Sequence, residues 1–200
     1  IKPSAYAPLL LHHLAINDFV ISMRQAARLS GYEAKIIPEY KQLPDKSEKL
    51  KKSLSQAITV KGKTTEIIPD GVVCLSRQEI KSLLFFEIYR GTQVLEGTTH
   101  SIQNKLEAYV YYWQQDLYRR YADLFAYHFK GFRVLVVVPL LSSIEKLKRI
   151  CQEFAPIGLF WFALQEDIKP DTIFKPIWHV PGENNLRAIV KQRNLNKEGI

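Results

Sequence analysis

The stretch that most constrains the fold is "GFRVLVVVPL", residues 131–140, an almost unbroken run of apolar residues. A half-exposed strand would alternate apolar and polar residues. This run therefore predicts a strand buried on both faces of a parallel or mixed sheet. The next segment, "SSIEKLKRICQEF", has a helical pattern, and we expect Ser142 to cap its start, with a glutamate three residues later. A second apolar run, "IGLFWFAL", then predicts another buried strand.

The N-terminal part of the chain has a helical pattern between Tyr6 and Leu29. Residues recur at three- and four-residue steps, at Leu10, Leu14, Asn17, Ile21, Met23 and Leu29. Gly31 follows and is expected to cap the end of the helix. The apolar residues within 34–37 predict a strand, and Pro38 indicates that this strand lies at a sheet edge or contains a bulge.

The middle of the chain contains two segments rich in β-branched and aromatic residues, "TTEIIPDGVVCL" and "SLLFFEIYRG". Each predicts a strand, and a long helix is expected from about Gly97 to Phe129. "DTIFKPIWHV" is a candidate final edge strand, and the polar, basic residues 181–200 are expected to form a loosely held tail. The order α-β-β-β-α-β-α-β predicts one α/β domain over residues 1–180, with helices on both faces of a mixed sheet.

Basic residues outnumber acidic ones, since 28 Lys and Arg against 20 Asp and Glu give a net charge of +8. This balance favours a polyanionic partner, nucleic acid before an acidic membrane. Seven lysines lie within residues 41–63, where we expect an exposed basic excursion and a short helix at about 48–57. A solvated loop and an arm that contacts phosphates both fit this stretch. In the second case Lys61 and Lys63 would contact DNA.

The two cysteines, Cys74 and Cys151, both lie in apolar segments, and neither has a Cys or His at zinc-ligand spacing. A disulfide framework is therefore not expected, and we predict a reduced, cytoplasmic protein. The longest apolar runs are too short to cross a bilayer, so no membrane partner is predicted. The chain begins at Ile1, and we expect an upstream region to precede it.

Two carboxylates stand near the ends of the predicted middle strands, Asp70 at the start of one and Glu87 near the end of the other. If the strands are neighbours, both could hold a hard cation such as Mg²⁺, with the carbonyl of Ile88 as a third ligand. Alternatively, Asp70 between proline and glycine suits an ordinary turn. A carboxylate in the apolar "FFEIY" needs a partner, and the candidates for Glu87 are a metal, Lys105, Arg90 and His13.

Four short motifs occur in a characteristic order: "LHHLAINDFV", "PDGVVCL", "FEIYRGT" and "NKLEAYVYY". Together they resemble the restriction-endonuclease-like PD-(D/E)xK fold and, more narrowly, the plasmid replication-relaxation family of bacterial mobile elements. The resemblance covers roughly residues 9–138. It implies a DNA-binding protein needed for plasmid replication and relaxation, with possible replication or mobilisation proteins as partners. It also implies a winged-helix-like DNA-binding region ahead of this domain.

The resemblance also implies roles for individual residues. Asp70 and Glu87 would be metal ligands, Lys105 would be the cation of the site, and His13, which shares a helix face with Asn17, would join them. His12 lies on another face, and we expect only an ordinary structural role for it. Arg90, Arg119 and Arg120 are candidate DNA contacts, whereas the tyrosines of the long helix are expected to pack in the core.

One position departs from the family pattern, which has an acid two residues after the glutamate; active nucleases of the wider fold have a lysine there. Here the residue is Tyr89. Two hypotheses follow, a DNA-binding module with little or no catalysis and a Mg²⁺-dependent nicking endonuclease that uses Asp70 and Glu87. A domain that mainly contacts a replication protein is a third possibility.

Overall fold

A mixed sheet organises the chain in the computed structural model, which describes residues 6–39, 54–60, 62–91 and 102–190. Five strands form this sheet, in the spatial order β1 (Glu33–Pro38), β4 (Gly71–Arg77), β5 (Ile80–Ile88), β6 (Phe132–Val138) and β7 (Phe160–Leu164). β4 is antiparallel to both β1 and β5, whereas β5, β6 and β7 are parallel to one another. The predicted α/β class with a mixed sheet is confirmed, and β1 is an edge strand as Pro38 indicated.

Helices cover both faces of the sheet. Helix α1 (Tyr6–Leu29) packs on one face, and helices α2 (Ile102–Gln114) and α4 (Leu141–Phe154) pack on the other. Alternate residues of β6 supply the two cores: Val136 faces α2 and α4, and Val137 faces α1. Burial on both faces explains why the sequence of this strand does not alternate. No described helix is long and apolar enough to cross a membrane.

Helix α1 has the predicted bounds but buries a different stripe of side chains. Ile16, Phe19 and Met23 lie at the centre of its buried face. Most of the apolar residues that gave the predicted period face solvent, with exposed fractions of 59% for Leu10, 48% for Leu14 and 51% for Ile21. Of the predicted periodic positions, only Met23 belongs to the core.

A separate hairpin, formed by β2 (Gln56–Val60) and β3 (Lys63–Ile67), lies before Asp70 in the sequence. It corrects two predictions. Residues 56–57 are strand rather than the end of a helix, and the strand expected over 64–75 is divided between β3 and β4. Leu54, Ile58 and Ile67 are buried in the core on the α2 side. Most of the predicted basic excursion, residues 40–53 and Lys61, lies outside the described residues, and the side chain of Lys63 is not described.

The predicted long helix is interrupted. Helix α2 ends at Gln114, a 3₁₀ turn follows at Leu117–Arg120, and the short helix α3 occupies Tyr121–Phe125. Asp116 between them has a φ of 55°, a left-handed conformation that no helical residue adopts. Residues 97–101 of the predicted helix lie outside the described part. The expected core role of the tyrosines is confirmed for a cluster around Phe85 and Phe132, namely Tyr109, Tyr112, Tyr118 and Tyr121.

The last third of the chain differs from the predictions in two details. Helix α4 begins at Leu141 after an extended Leu140, without a side-chain cap, so Ser142 is not the cap. No described residue of 171–180 forms a regular strand; Trp178 and His179 make only isolated bridges, His179 with Phe162 of β7. Ile189 and Val190 pack against the core on the α1 side, within the segment predicted to be a tail.

Candidate functional site

Strands β4 and β5 bring Asp70 and Glu87 together as an acid pair. Their antiparallel register pairs Gly71 with Phe86. One step beyond this pair, Asp70 therefore stands opposite Glu87. Both side chains are buried, with 6% of Asp70 and 3% of Glu87 exposed. Burying two carboxylates is costly unless each has partners, so their hydrogen bonds determine what the site can do.

Asp70 is held from two directions. Its Oδ2 accepts a hydrogen bond from the backbone N–H of Ile88 at 2.6 Å, and its Oδ1 lies 3.3 Å from Nε2 of His12. Its main-chain oxygen also accepts the N–H of Glu39 at 2.9 Å. Asp70 therefore links α1, the residue that follows β1, and β5, and it is not simply the polar residue of an exposed turn.

The position after Asp70 requires glycine because another part of the chain passes close to it, and not because the backbone turns there. Gly71 is the first residue of β4, and its φ lies outside the left-handed region. A Cβ atom at this position would lie 2.3 Å from a ring carbon of Phe86. The glycine thus lets β4 pass the Phe86 ring where the two strands meet at the acid pair.

Glu87 has a donor on each carboxylate oxygen. Nζ of Lys105 lies 2.5 Å from Oε2, and the hydroxyl of Tyr109 donates to Oε1 at 2.5 Å. Both donors come from α2, where their spacing of four residues places them on one helix face. The side chain of Lys105 is 30% exposed, so the ion pair lies at the border between core and solvent. Lys105 is one of the four candidate partners that the sequence suggested for Glu87, and Tyr109 is a second donor that was not among them.

The electrostatics of the site follow from this burial. Burial raises the pKa of Glu87 to about 7, although the charge of Lys105 acts in the opposite direction. Burial alone would lower the pKa of Lys105, but the carboxylates of Glu87 and Asp70 outweigh it and raise that pKa. Burial, and then the Glu87 carboxylate, raise the pKa of Tyr109 well above its usual value. Tyr109 is therefore a neutral hydrogen-bond donor.

The histidine that contacts Asp70 is His12, for which only an ordinary structural role was expected. Its hydrogen bond to Asp70 raises the pKa of the imidazole, despite partial burial. His13 is half-buried, and its ring centre lies 6.3 Å from that of His12. The site role of His13 stays a prediction. The signal for His12 was its position four residues before Ile16, at the start of the buried stripe of α1.

Tyr89 stands where the wider fold has lysine and the family pattern has an acid. Its side chain is only 5% exposed and belongs to the core on the α2 side, the face that Glu87 also occupies. Its N–H donates to the carbonyl of Val137 at 2.8 Å. Burial raises the pKa of its phenol, so it contributes no charge to the site at neutral pH.

The candidate DNA-contacting residues have different surroundings. Arg90 is half-buried directly after Tyr89. Arg119 is exposed and forms an ion pair with Asp116 at 2.6 Å. Arg120 donates to the side chain of Gln56 and to the carbonyl of Ser55 at 3.5 Å, so it connects the 3₁₀ turn to the β2–β3 hairpin. Contact of these residues with DNA stays a prediction, as it does for Lys61 and Lys63, whose side chains are not described.

Carboxylate oxygens are suitable ligands for a hard cation, but those of the acid pair already have partners within the protein. Each of the four carboxylate oxygens already faces a protein donor: Ile88 N–H, His12, Lys105 or Tyr109. Among the described residues, no group of three or more His, Cys, Asp and Glu side chains could hold a metal ion. A cation bound by Asp70 and Glu87 would share their oxygens with these donors and take further ligands from main-chain oxygen or water.

Comparison with known proteins identifies a family. The family model described as replication-relaxation matches residues 2–127, which is more than half of the 200-residue chain. The matched range includes the acid pair and all four residues that donate to its carboxylates. No curated protein matches, and no solved structure matches. The chain therefore belongs to the replication-relaxation family.

Proposed function

We propose that this domain binds plasmid DNA through a nuclease-like fold in which the acid pair serves structure more than catalysis. Membership of the replication-relaxation family supports a role in plasmid replication and relaxation. The sheet order, with three antiparallel strands followed by parallel ones, is consistent with the restriction-endonuclease-like resemblance. The net charge of +8 supports contact with the DNA backbone, since lysines and arginines that neutralise phosphates release counterions.

The observation that carries the non-catalytic assignment is that every carboxylate oxygen of Asp70 and Glu87 already faces a protein donor. A metal-dependent nuclease needs carboxylate oxygens that can turn to a cation and a bound water. Here Tyr109 and Lys105 hold both oxygens of Glu87 at 2.5 Å. Tyr89 supplies neither an acid for the metal nor a cation for the attacking water. The network is therefore better suited to fixing α1 and α2 against the end of the sheet.

A Mg²⁺-dependent nicking endonuclease is the second candidate, and the strand register favours it. Asp70 and Glu87 stand opposite one another with Lys105 beside them, as a two-strand metal site requires. In that case Asp70 and Glu87 would hold the ion, which would supply Lewis-acid polarisation of a phosphate. Lys105, once released from Glu87, would balance charge on the phosphate, and buried Tyr109 would orient Glu87.

The experiment that separates the two functions combines supercoiled plasmid with the protein and either Mg²⁺ or Mn²⁺. Asp70→Asn and Glu87→Gln variants are assayed in parallel, with Glu166→Gln, at an exposed residue, as the matched control. Binding is measured by anisotropy of labelled duplex over a range of salt concentrations. The proposal predicts salt-dependent binding and no nicking above background. Nicking that both site variants abolish, but the control keeps, would establish the endonuclease. Absence of binding at low salt would overturn the DNA-binding function.

A further inference from the structure

A cleft of about 260 Å³ lies on the face of the sheet opposite helix α2. Helix α1 forms one wall with Asp18 and Ser22, and the segment after β7 forms the other with Gln165 and Lys169. Ile88 and Val137, at the carboxyl ends of parallel strands β5 and β6, complete it. In open α/β sheets, this end of the parallel strands is where ligands commonly bind.

Hydrogen bonds fix the walls of this cleft. The hydroxyl of Ser22 donates to the carbonyl of Ile168 at 3.3 Å and ties α1 to the opposite wall. Within that wall, the hydroxyl of Thr172 donates to the carbonyl of Asp167 at 2.5 Å, and the N–H of Ile168 donates to the carbonyl of Gln165 at 3.2 Å. These bonds hold the walls of the cleft in place, and a fixed site lowers the entropic cost of binding.

Three polar residues that line the cleft have side chains without partners among the described residues. Asp18, Gln165 and Lys169 are all exposed, and none of them forms a side-chain hydrogen bond or ion pair with another residue of the described part. Together they offer a carboxylate acceptor, an amide that can donate or accept, and a cationic donor. The remaining lining is mostly apolar, with Phe19 and Ile88 among it. A flat ligand with apolar faces and a polar edge matches this combination.

The cleft is physically connected to the acid pair through Ile88. The side chain of Ile88 lines the cleft, and its N–H binds Oδ2 of Asp70 at 2.6 Å. DNA that approaches this end of the sheet would therefore lie beside both features. A base that leaves the stack needs an apolar surface for its faces and hydrogen-bonding groups for its edge.

We propose that the cleft accepts one unstacked nucleobase of the bound DNA, an inference that rests on the proposed DNA-binding function. Guanine suits it best, because its Watson–Crick edge presents two adjacent N–H donors to the Asp18 carboxylate. The same edge presents a carbonyl oxygen to Lys169 or Gln165. The cleft reads the base, and the basic surface of the domain binds the backbone.

The test uses single-stranded 12-mers in which every position is abasic, with or without one central guanine. Both probes carry the same phosphates, so the difference in affinity measures the base alone. Anisotropy is measured at one fixed salt concentration for the wild type and Asp18→Asn. The matched control is Asp171→Asn, at an exposed residue of the same wall outside the cleft, and circular dichroism checks that all variants are folded.

We expect the guanine probe to bind about tenfold more tightly than the abasic probe, the effect of stacking and pairing one base. Asp18→Asn should remove most of this preference, whereas Asp171→Asn should keep it. Equal affinity of the wild type for both probes would overturn the base-binding cleft and leave DNA binding intact. A preference that survives Asp18→Asn would also overturn this site. Failure to bind either probe or duplex would instead refute the proposed function itself.

Discussion

Nζ of Lys105 lies 2.5 Å from Oε2 of Glu87, and this contact joins helix α2 to strand β5 at the end of the sheet. The two side chains are unequal partners, because Glu87 is 3% exposed and Lys105 is 30% exposed. Glu87 depends on Lys105 to stay charged, whereas Lys105 could reach water instead. Losing the lysine should therefore cost more than losing the glutamate.

Lys105→Met is expected to lower the free energy of unfolding by about 2–3 kcal/mol at pH 8, because it leaves Glu87 buried without its cation. Urea denaturation measures this difference. The double variant Lys105→Met/Glu87→Gln should recover part of the loss, since no buried charge remains. A double variant as unstable as the sum of the two single variants would contradict the pairing.

The pH dependence of stability should reveal Glu87. Its pKa is about 7 in the folded protein and near 4.5 when unfolded, so the folded state binds the extra proton between these values. The contribution of Glu87 to the free energy of unfolding is therefore greatest below about pH 4.5. It falls by about 3 kcal/mol in total as the pH rises to about 7. Denaturation in metal-free buffer at several pH values checks this against Glu87→Gln. The difference between the two curves should change over this window, and parallel curves would disprove it.

His12 should contribute in a neighbouring pH range. Its hydrogen bond to Asp70 raises the pKa of the imidazole above 6.5, so its stabilisation is present below pH 6.5 and is lost as pH rises through the folded pKa. We expect His12→Gln to cost about 1 kcal/mol at pH 6 and less at pH 8 in metal-free buffer. His128→Gln, at an exposed position, is the control. An effect that does not change with pH would show that His12 acts by packing alone.

Gly71→Ala tests the close approach of β4 to Phe86. The new Cβ atom would lie 2.3 Å from the ring, so either the ring or the strand must move. We expect a loss of about 1–3 kcal/mol in the free energy of unfolding, measured by thermal or urea denaturation. The control is Gly131→Ala, where the added atom meets nothing within 4 Å. Equal stability of the two variants would show that Phe86 relocates without cost.

The parts of the fold that sequence reasoning located are those in which one local pattern decides the structure. The apolar runs that became β6 and β7 can be satisfied only by burial on both faces, and the helical span of α1 has the predicted ends. The need of Glu87 for a partner could be predicted, because a carboxylate beside Phe85 and Phe86 is costly alone, and Lys105 was one of the four candidates. These inferences need no knowledge of distant contacts.

The errors have a different origin, because they concern choices that tertiary packing makes. Helix α1 contains two apolar stripes, and only packing against the sheet selects the one with Ile16 and Phe19. The same packing brings His12 to Asp70, a contact that the sequence pattern did not indicate. The break at Asp116 and the β2–β3 hairpin are likewise determined by contacts that local propensity does not contain.

Strand β1 is the outer strand of the sheet, and its position has a consequence for association between molecules. The opposite edge, β7, is partly covered because Phe162 bridges to His179. β1 pairs only with β4, so one row of its backbone groups has no strand partner in the described part of the chain. Glu33 and Lys35 are exposed there, and Pro38 has no N–H to donate. Charge and proline on an outer strand discourage sheet-to-sheet growth, so we expect β1 to disfavour edge-to-edge association of the folded protein.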